Sequence, residues 1–190
     1  RRVSVAYGQF TQHITTITPN ADGTLPPPAG IPGASPAARF VLGETTGEDL
    51  HAHLAPGCTT ALVGDPRRQQ GLPKHLFGLQ ELAVSGATVH TISLRGKVVG
   101  HWFEDDDARY VYLGDLQPEH PAASRYEQTL ETFETMAAAL AAAGLEFRHV
   151  VRTWFYLQDL LTWYGEFNRA RNDFFTLQGV FGRLVPASTG

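Results

Sequence analysis

The segment from Phe147 to Gly190 constrains the fold most, because its hydrophobic period changes from strand-like to helical within a short length. Val150–Leu157 (VVRTWFYL) carries apolar bulk on both faces, so it is expected to be a strand central in a sheet. Arg152 interrupts that run. A cation there needs either an ion-pair partner on the sheet margin or an anionic ligand. Asp159 is placed to cap a helix over Leu161–Phe175. Leu160, Trp163, Tyr164, Phe167 and Phe174 form its apolar stripe, and Asn168, Arg169, Arg171 and Asn172 its polar side. Asn168, directly after a core Phe, is expected to bond a neighbouring loop backbone or to point into a cleft. A loop then leads to Pro186-Ala187-Ser188-Thr189-Gly190.

Upstream, Ser124 and Glu127 have the spacing of a capping box, and the helix they open is expected to run to about Ala143 and stop at Gly144. Tyr126, Leu130, Phe133, Ala137, Leu140 and Ala141 recur on one face of it. Everything before that helix is rich in strand formers. Residues 3–18 read as one or two strands broken near Gly8, Phe40–Leu42 as a short strand and Thr59–Val63 as a buried one. Leu79–Ser85, Val89–Leu94 and Val98–Phe103 read as a meander, followed by a strand over Arg109–Leu116 with Tyr110 and Tyr112 on one face. Residues 19–36 form a Pro/Gly loop, a surface excursion or a lid, and residues 64–74 a second loop in which Arg67 and Arg68 read most simply as solvated, with contact to an anionic substrate as the alternative. Thr46 is expected to start a helix over Gly47–Leu54; His51 and His53, two apart, would face different ways on it, which argues against a metal pair. The acidic turn Glu104–Asp107 lacks the Gly and Glu of a calcium loop and reads as solvated.

Composition narrows the function classes. With 15 basic and 19 acidic residues the net charge is −4 and no basic stripe stands out, so nucleic acid is not an expected partner. The lone Cys58 supports neither an internal disulfide framework nor a multi-thiolate zinc site, so no metal is expected, and it fits a reducing cytoplasm. No apolar run approaches the roughly 18 residues of a membrane span, and Arg1–Phe10 lacks the apolar core of a signal peptide. The chain starts at Arg1 and stops after an apparent turn, so a processed or partial chain is expected.

Residues 109–189 resemble the reactive intermediate deaminase (Rid, YjgF-like) family. The resemblance lies in the order of Gly114-Asp115-Leu116-Gln117-Pro118, a long helix running into Ala-Ala-Gly, Val150-Val151-Arg152-Thr153, an Asn four residues beyond an aromatic (Asn168 after Tyr164), Phe174-Phe175 and Pro186-Ala187-Ser188-Thr189. It implies an α+β, chorismate-mutase-like fold: a mixed sheet with two helices packed on one face, here over residues 76–190 and incomplete at its C-terminus. Residues 1–75 would then be a β-rich extension or diverged lobe. The resemblance also implies a homotrimer, or a pseudo-trimer completed by the extension, with small-molecule sites in clefts between subunits. Tyr112, Gly114, Arg152, Asn168, Ser188, Thr189 and Gly190 are the expected substrate-binding residues, with Ser188 and Thr189 as catalytic candidates.

The implied chemistry needs no cofactor: water adds to an imine, releasing ammonia and a ketone. One departure bears on it. Ser188 stands where the family's Pro-Ala-Arg-Ser has the carboxylate-binding Arg, and a neutral hydroxyl cannot replace a bidentate guanidinium. The general acid/base is expected beyond Gly190 or on a neighbouring subunit. Hydrolysis or proton transfer at an imine or enamine of a conjugated metabolite is the expected activity. Two alternatives stand beside it. One is enol-ether hydrolysis of the kind chorismatases perform, releasing pyruvate; those enzymes share the fold and have a similarly extended N-terminal region. The other is a non-catalytic ligand-binding or assembly module that has lost the Arg.

Overall fold

The computed structural model describes residues 1–22, 24–44, 60–63 and 75–189. The helix expected over Gly47–Leu54, His51, His53, Cys58, the loop 64–74 and Gly190 lie outside the described residues. The chain is α+β and packs as two compact units, Arg1–Asp115 and Leu116–Gly190.

The first unit is built from strands. β1 (Arg2–Tyr7) and β2 (Phe10–Ile17) form a hairpin across Gly8, as expected. β3 (Ala34–Glu44), β4 (Thr60–Val63) and β5 (His75–Ser85) complete a five-stranded sheet in the order β1-β2-β5-β3-β4, antiparallel except for the parallel β3–β4 pair. Because β5 pairs with both β2 and β3, this unit takes in strands from both sides of position 75. β3 is longer than the short strand expected at Phe40–Leu42 and reaches back into the Pro/Gly loop. Pro36 is accommodated by a register shift between Pro36 and Ala38, the kind of irregularity where a residue without an N–H is tolerated.

β6 (His90–Leu94), β7 (Lys97–Glu104) and β8 (Arg109–Leu113) form a separate antiparallel meander. β8 ends at Leu113, short of the expected Leu116. The ladder closes with the Gly114 N–H donating to Val99 O at 3.0 Å. Gly100, in the middle of β7, is a site of close backbone approach: a Cβ there would meet Tyr112 O at 2.4 Å. The unit's core gathers Phe10, Ala37, Ala38, Leu82, Val84 and Phe103. Tyr110 and Tyr112 share a face as expected and stack on Phe103 at 5.2 and 6.1 Å.

The second unit is helical. α1 (Arg125–Ala142) starts at the expected capping box: Ser124 Oγ accepts from the Glu127 N–H while the Ser124 N–H donates to the Glu127 carboxylate at 2.9 Å. The Ser124 hydroxyl also donates to the Glu127 carboxylate at 2.7 Å, and the two bonds that carboxylate accepts hold it below its ordinary range, the hydroxyl contributing most. The helix ends in a Schellman turn. Gly144, at φ 73°, donates to Ala141 O, and Leu145 donates to Leu140 O. The buried face is Thr129, Phe133, Ala139 and Leu140; Ala141, expected inside, is exposed.

A 3-10 turn, Phe147–His149, inserts Phe147 between Phe133, Phe174 and Phe175. α2 (Leu160–Leu177) buries Phe167, Ala170, Phe174 and Phe175 against α1, while Tyr164, expected in the stripe, is half-exposed. Asp159 occupies the N-cap position but makes no side-chain cap. Its backbone is left-handed at φ 49°, and its carbonyl accepts from the Thr162 hydroxyl at 2.8 Å instead. β9 (Arg152–Trp154) and β10 (Ala187–Thr189) pair in parallel as a two-stranded sheet. The strand expected over Val150–Leu157 and central in a sheet is therefore three residues long with one described partner, and Val151 and Tyr156 beside it are exposed.

Candidate functional site

In β9 and β10, two adjacent strands run the same way because α2 carries the chain back between them. The register sets Ala187 beside Arg152, Ser188 beside Thr153 and Thr189 beside Trp154. Side chains alternate along a strand, so Arg152, Trp154 and Thr189 share one face while Thr153 and Ser188 share the other. On the first face the Arg152 guanidinium lies 5.0 Å from the centre of the Trp154 ring, and its Nη2 donates to Thr189 Oγ1 at 3.2 Å. On the second, Thr153 Oγ1 and Ser188 Oγ are 3.0 Å apart. Arg152 and Trp154 are exposed, and Thr153 is buried. Among the described residues no carboxylate pairs with Arg152, so its charge is met by the aromatic face, a hydroxyl and solvent. Such a group can take a planar anion: the guanidinium offers paired donors to a carboxylate, and the indole offers a stacking surface.

Of the other expected site residues, Tyr112 and Gly114 belong to the first unit. Tyr112 Oη accepts from Gln12 Nε2 at 3.2 Å, and burial pushes its pKa up despite the opposing pull of Gln12. The Gly114 N–H is used by Val99. Asn168 lies on α2 with its Oδ1 buried and, among the described residues, without a hydrogen-bond partner, so the expected bond to a loop backbone is not made by that atom. The structure thus brings together Arg152, Ser188 and Thr189, with Ser188 turned to the opposite face from the other two.

A cavity of about 170 Å³ lies between α1, the residues following β9 and the start of α2. Sequence reading assigned its walls to the core. Phe133, Phe155, Trp163 and Phe167 line it, meeting edge to face with centroids 5.1 to 6.1 Å apart. Trp163 is turned by a break in α2 (φ −138°, ψ 22°), and its indole N–H donates to Gln158 O at 2.8 Å. Arg125 lies 5.1 Å over the Trp163 ring, with Nη1 donating to Gln128 Oε1 at 3.3 Å. The Thr129 and Thr132 hydroxyls donate to backbone carbonyls one turn back, at 2.7 and 2.8 Å. The signal available in the sequence was the recurrence of Arg125, Gln128, Thr129 and Thr132 at helical spacing, a polar strip running up to Phe133.

A second, wider cavity of about 410 Å³ lies in the first unit against Tyr7, Gln9, Tyr110 and the Asp105–Asp107 turn. Asp105 Oδ1 there accepts from the Asp107 and Ala108 N–H groups. Burial raises the Tyr110 pKa, with the Asp105 charge adding to the effect. Among the described residues no group of three or more His, Cys, Asp or Glu side chains gathers to hold a metal ion. No helix among them is long and apolar enough to cross a membrane.

Two packed helices and a helix-linked parallel strand pair, in a chain that also carries antiparallel sheets, are consistent with the chorismate-mutase-like class of α+β fold. Residues 115–188 match the family model described as Endoribonuclease L-PSP, and this segment is a domain of the Rid-like (YjgF-like) superfamily. Comparison with curated proteins gave no match, and comparison with solved structures gave none either. Membership of that superfamily supports a small-molecule, enzyme-like role in general terms.

Proposed function

We propose that the Rid-like unit is a cofactor-independent enzyme for a small conjugated metabolite bearing a carboxylate, acting at an imine or its enamine tautomer. The observation that carries this reading is Arg152, a solvent-facing cation held over Trp154 and bonded to Thr189. Arg152, from the neighbouring strand, supplies the positive charge that Ser188 lacks. Trp154 lies against the conjugated plane, and Thr189 orients the guanidinium. Water adds to the imine carbon and its proton passes to nitrogen; the carbinolamine then collapses to a ketone and ammonia. The acid/base group for these transfers comes from a neighbouring subunit of a cytoplasmic homotrimer, which predicts a trimeric mass in solution.

A second reading, a binding module without catalysis, is favoured by one feature. Among the described residues, no carboxylate, His or Cys lines the α1–α2 cavity or pairs in the β9–β10 register. Ammonia release from a 2-imino acid separates the two. The enzyme reading expects acceleration over buffer and a fall in kcat/KM of about 10- to 100-fold in Arg152→Gln. Arg152-dependent binding without acceleration favours the module. Activity indifferent to Arg152 sinks the assignment of this face as the site.

A further inference from the structure

We propose that the cavity between α1 and α2 is a second binding site, one that takes a small aromatic carboxylate: a single ring with one short acidic arm. Size sets the first limit. At about 170 Å³ it is close to the apolar cavities of about 150 Å³ that admit benzene, so it has room for one ring. The walls set the second. Phe133 and Phe167 are buried and held by packing, and Phe155 and Trp163 meet them edge to face, so an inserted ring finds both ring faces and ring edges.

Charge sets the third. Arg125 is the one charged side chain among the described residues that line it, and it meets neutral groups there, the Trp163 ring and the Gln128 amide oxygen. Of the other polar side chains that line it, Thr129, Thr132, Gln128 and Trp163 donate to backbone carbonyls, and the Tyr156 hydroxyl and the Gln158 amide are the remaining neutral donors. A ligand rich in acceptors, such as a sugar, finds few donors here. A ring with one carboxylate satisfies what is present. This site is separate from the β9–β10 face, since neither Arg152 nor Trp154 lines the cavity.

The test titrates phenylacetate, toluene (ring without charge) and acetate (charge without ring) into the full-length chain, following the Trp163 indole N–H signal by NMR. Phenylacetate is expected to saturate and acetate not to. Arg125→Gln should raise the phenylacetate Kd at least about tenfold while leaving toluene unchanged, and Arg125→Lys should restore most of the loss. Thr132→Leu, which fills the cavity, should weaken phenylacetate and toluene alike, and Arg152→Gln should affect neither. Absence of saturable phenylacetate binding overturns the proposal. So does binding abolished by Arg152→Gln but untouched by Arg125→Gln and Thr132→Leu, which would place the ligand on the β9–β10 face.

Discussion

Thr153 Oγ1 and Ser188 Oγ stand 3.0 Å apart across the parallel pair of β9 and β10, on the face opposite Arg152. Thr153 is 4% exposed, so its hydroxyl depends on this partner. Ser188→Ala should therefore destabilise the chain by about 1 kcal/mol, read as a lower urea midpoint with an unchanged slope. Ser188→Arg should cost more, because a guanidinium has to leave that face. Neither change should remove Arg152-dependent binding. An effect of Ser188→Ala on that binding as large as that of Arg152→Gln would show that the two residues serve one site.

The ring cluster at the base of the helical unit gives a larger effect. Phe147 packs 4.9 Å from Phe174 and 5.4 Å from Phe175, and is almost wholly buried. Phe147→Ala should cost about 3–5 kcal/mol, while Phe147→Leu should keep the unit folded with a smaller loss. Thermal or urea unfolding followed by near-ultraviolet circular dichroism measures both.

In the first unit, Arg39 and Glu81 face each other in the β3–β5 register, with the Arg39 Nε 2.7 Å from a Glu81 carboxylate oxygen and side chains only 5% and 10% exposed. Glu81→Gln should destabilise by up to about 3–5 kcal/mol, because it breaks a buried ion pair. Replacing both, as Arg39→Met with Glu81→Leu, should recover much of that. A single mutant that unfolds at the wild-type midpoint would contradict this.

The capping box makes a prediction in pH. Glu127 has its pKa lowered by Ser124. A carboxyl depressed in the folded state stabilises above its unfolded value, about 4.3 for a glutamate, and loses that contribution as pH falls through the folded value. Glu127→Gln should therefore be less stable than the parent near neutral pH, with the gap closing in acid. A gap that is constant with pH would assign the effect to hydrogen bonding alone.

What was legible in the sequence follows from how local each signal is. Ser124 and Glu127 are three apart, and Gly144 closes the same helix, so both ends of α1 could be read from adjacent residues. The β9 region could not, because an apolar run on both faces shows that burial is wanted and not which partner supplies it. Its residues are divided in the structure: Thr153 meets Ser188, Phe155 meets the helices, and Trp154 faces out. Ser188 and Thr189, expected together as catalytic candidates, are separated by strand alternation, so only Thr189 joins Arg152. The α1–α2 cavity was hidden because Phe133, Phe155 and Trp163 come from separate segments, and each alone reads as ordinary core.

The helix-linked pairing of β9 with β10 also sets an order of assembly. Arg152 and Thr189 are 37 residues apart, and their strands can meet only after α2 has folded and turned the chain back. Contacts that close such a long loop form late, and short two-stranded pairs are among the first to open. Partial unfolding at this end of the chain would thus release the anion anchor while α1 and α2 remain packed. Amide exchange of Phe155, whose N–H is held by Thr189 O, reports that opening separately from the helices, and affinity at the proposed Arg152 site should vary with it.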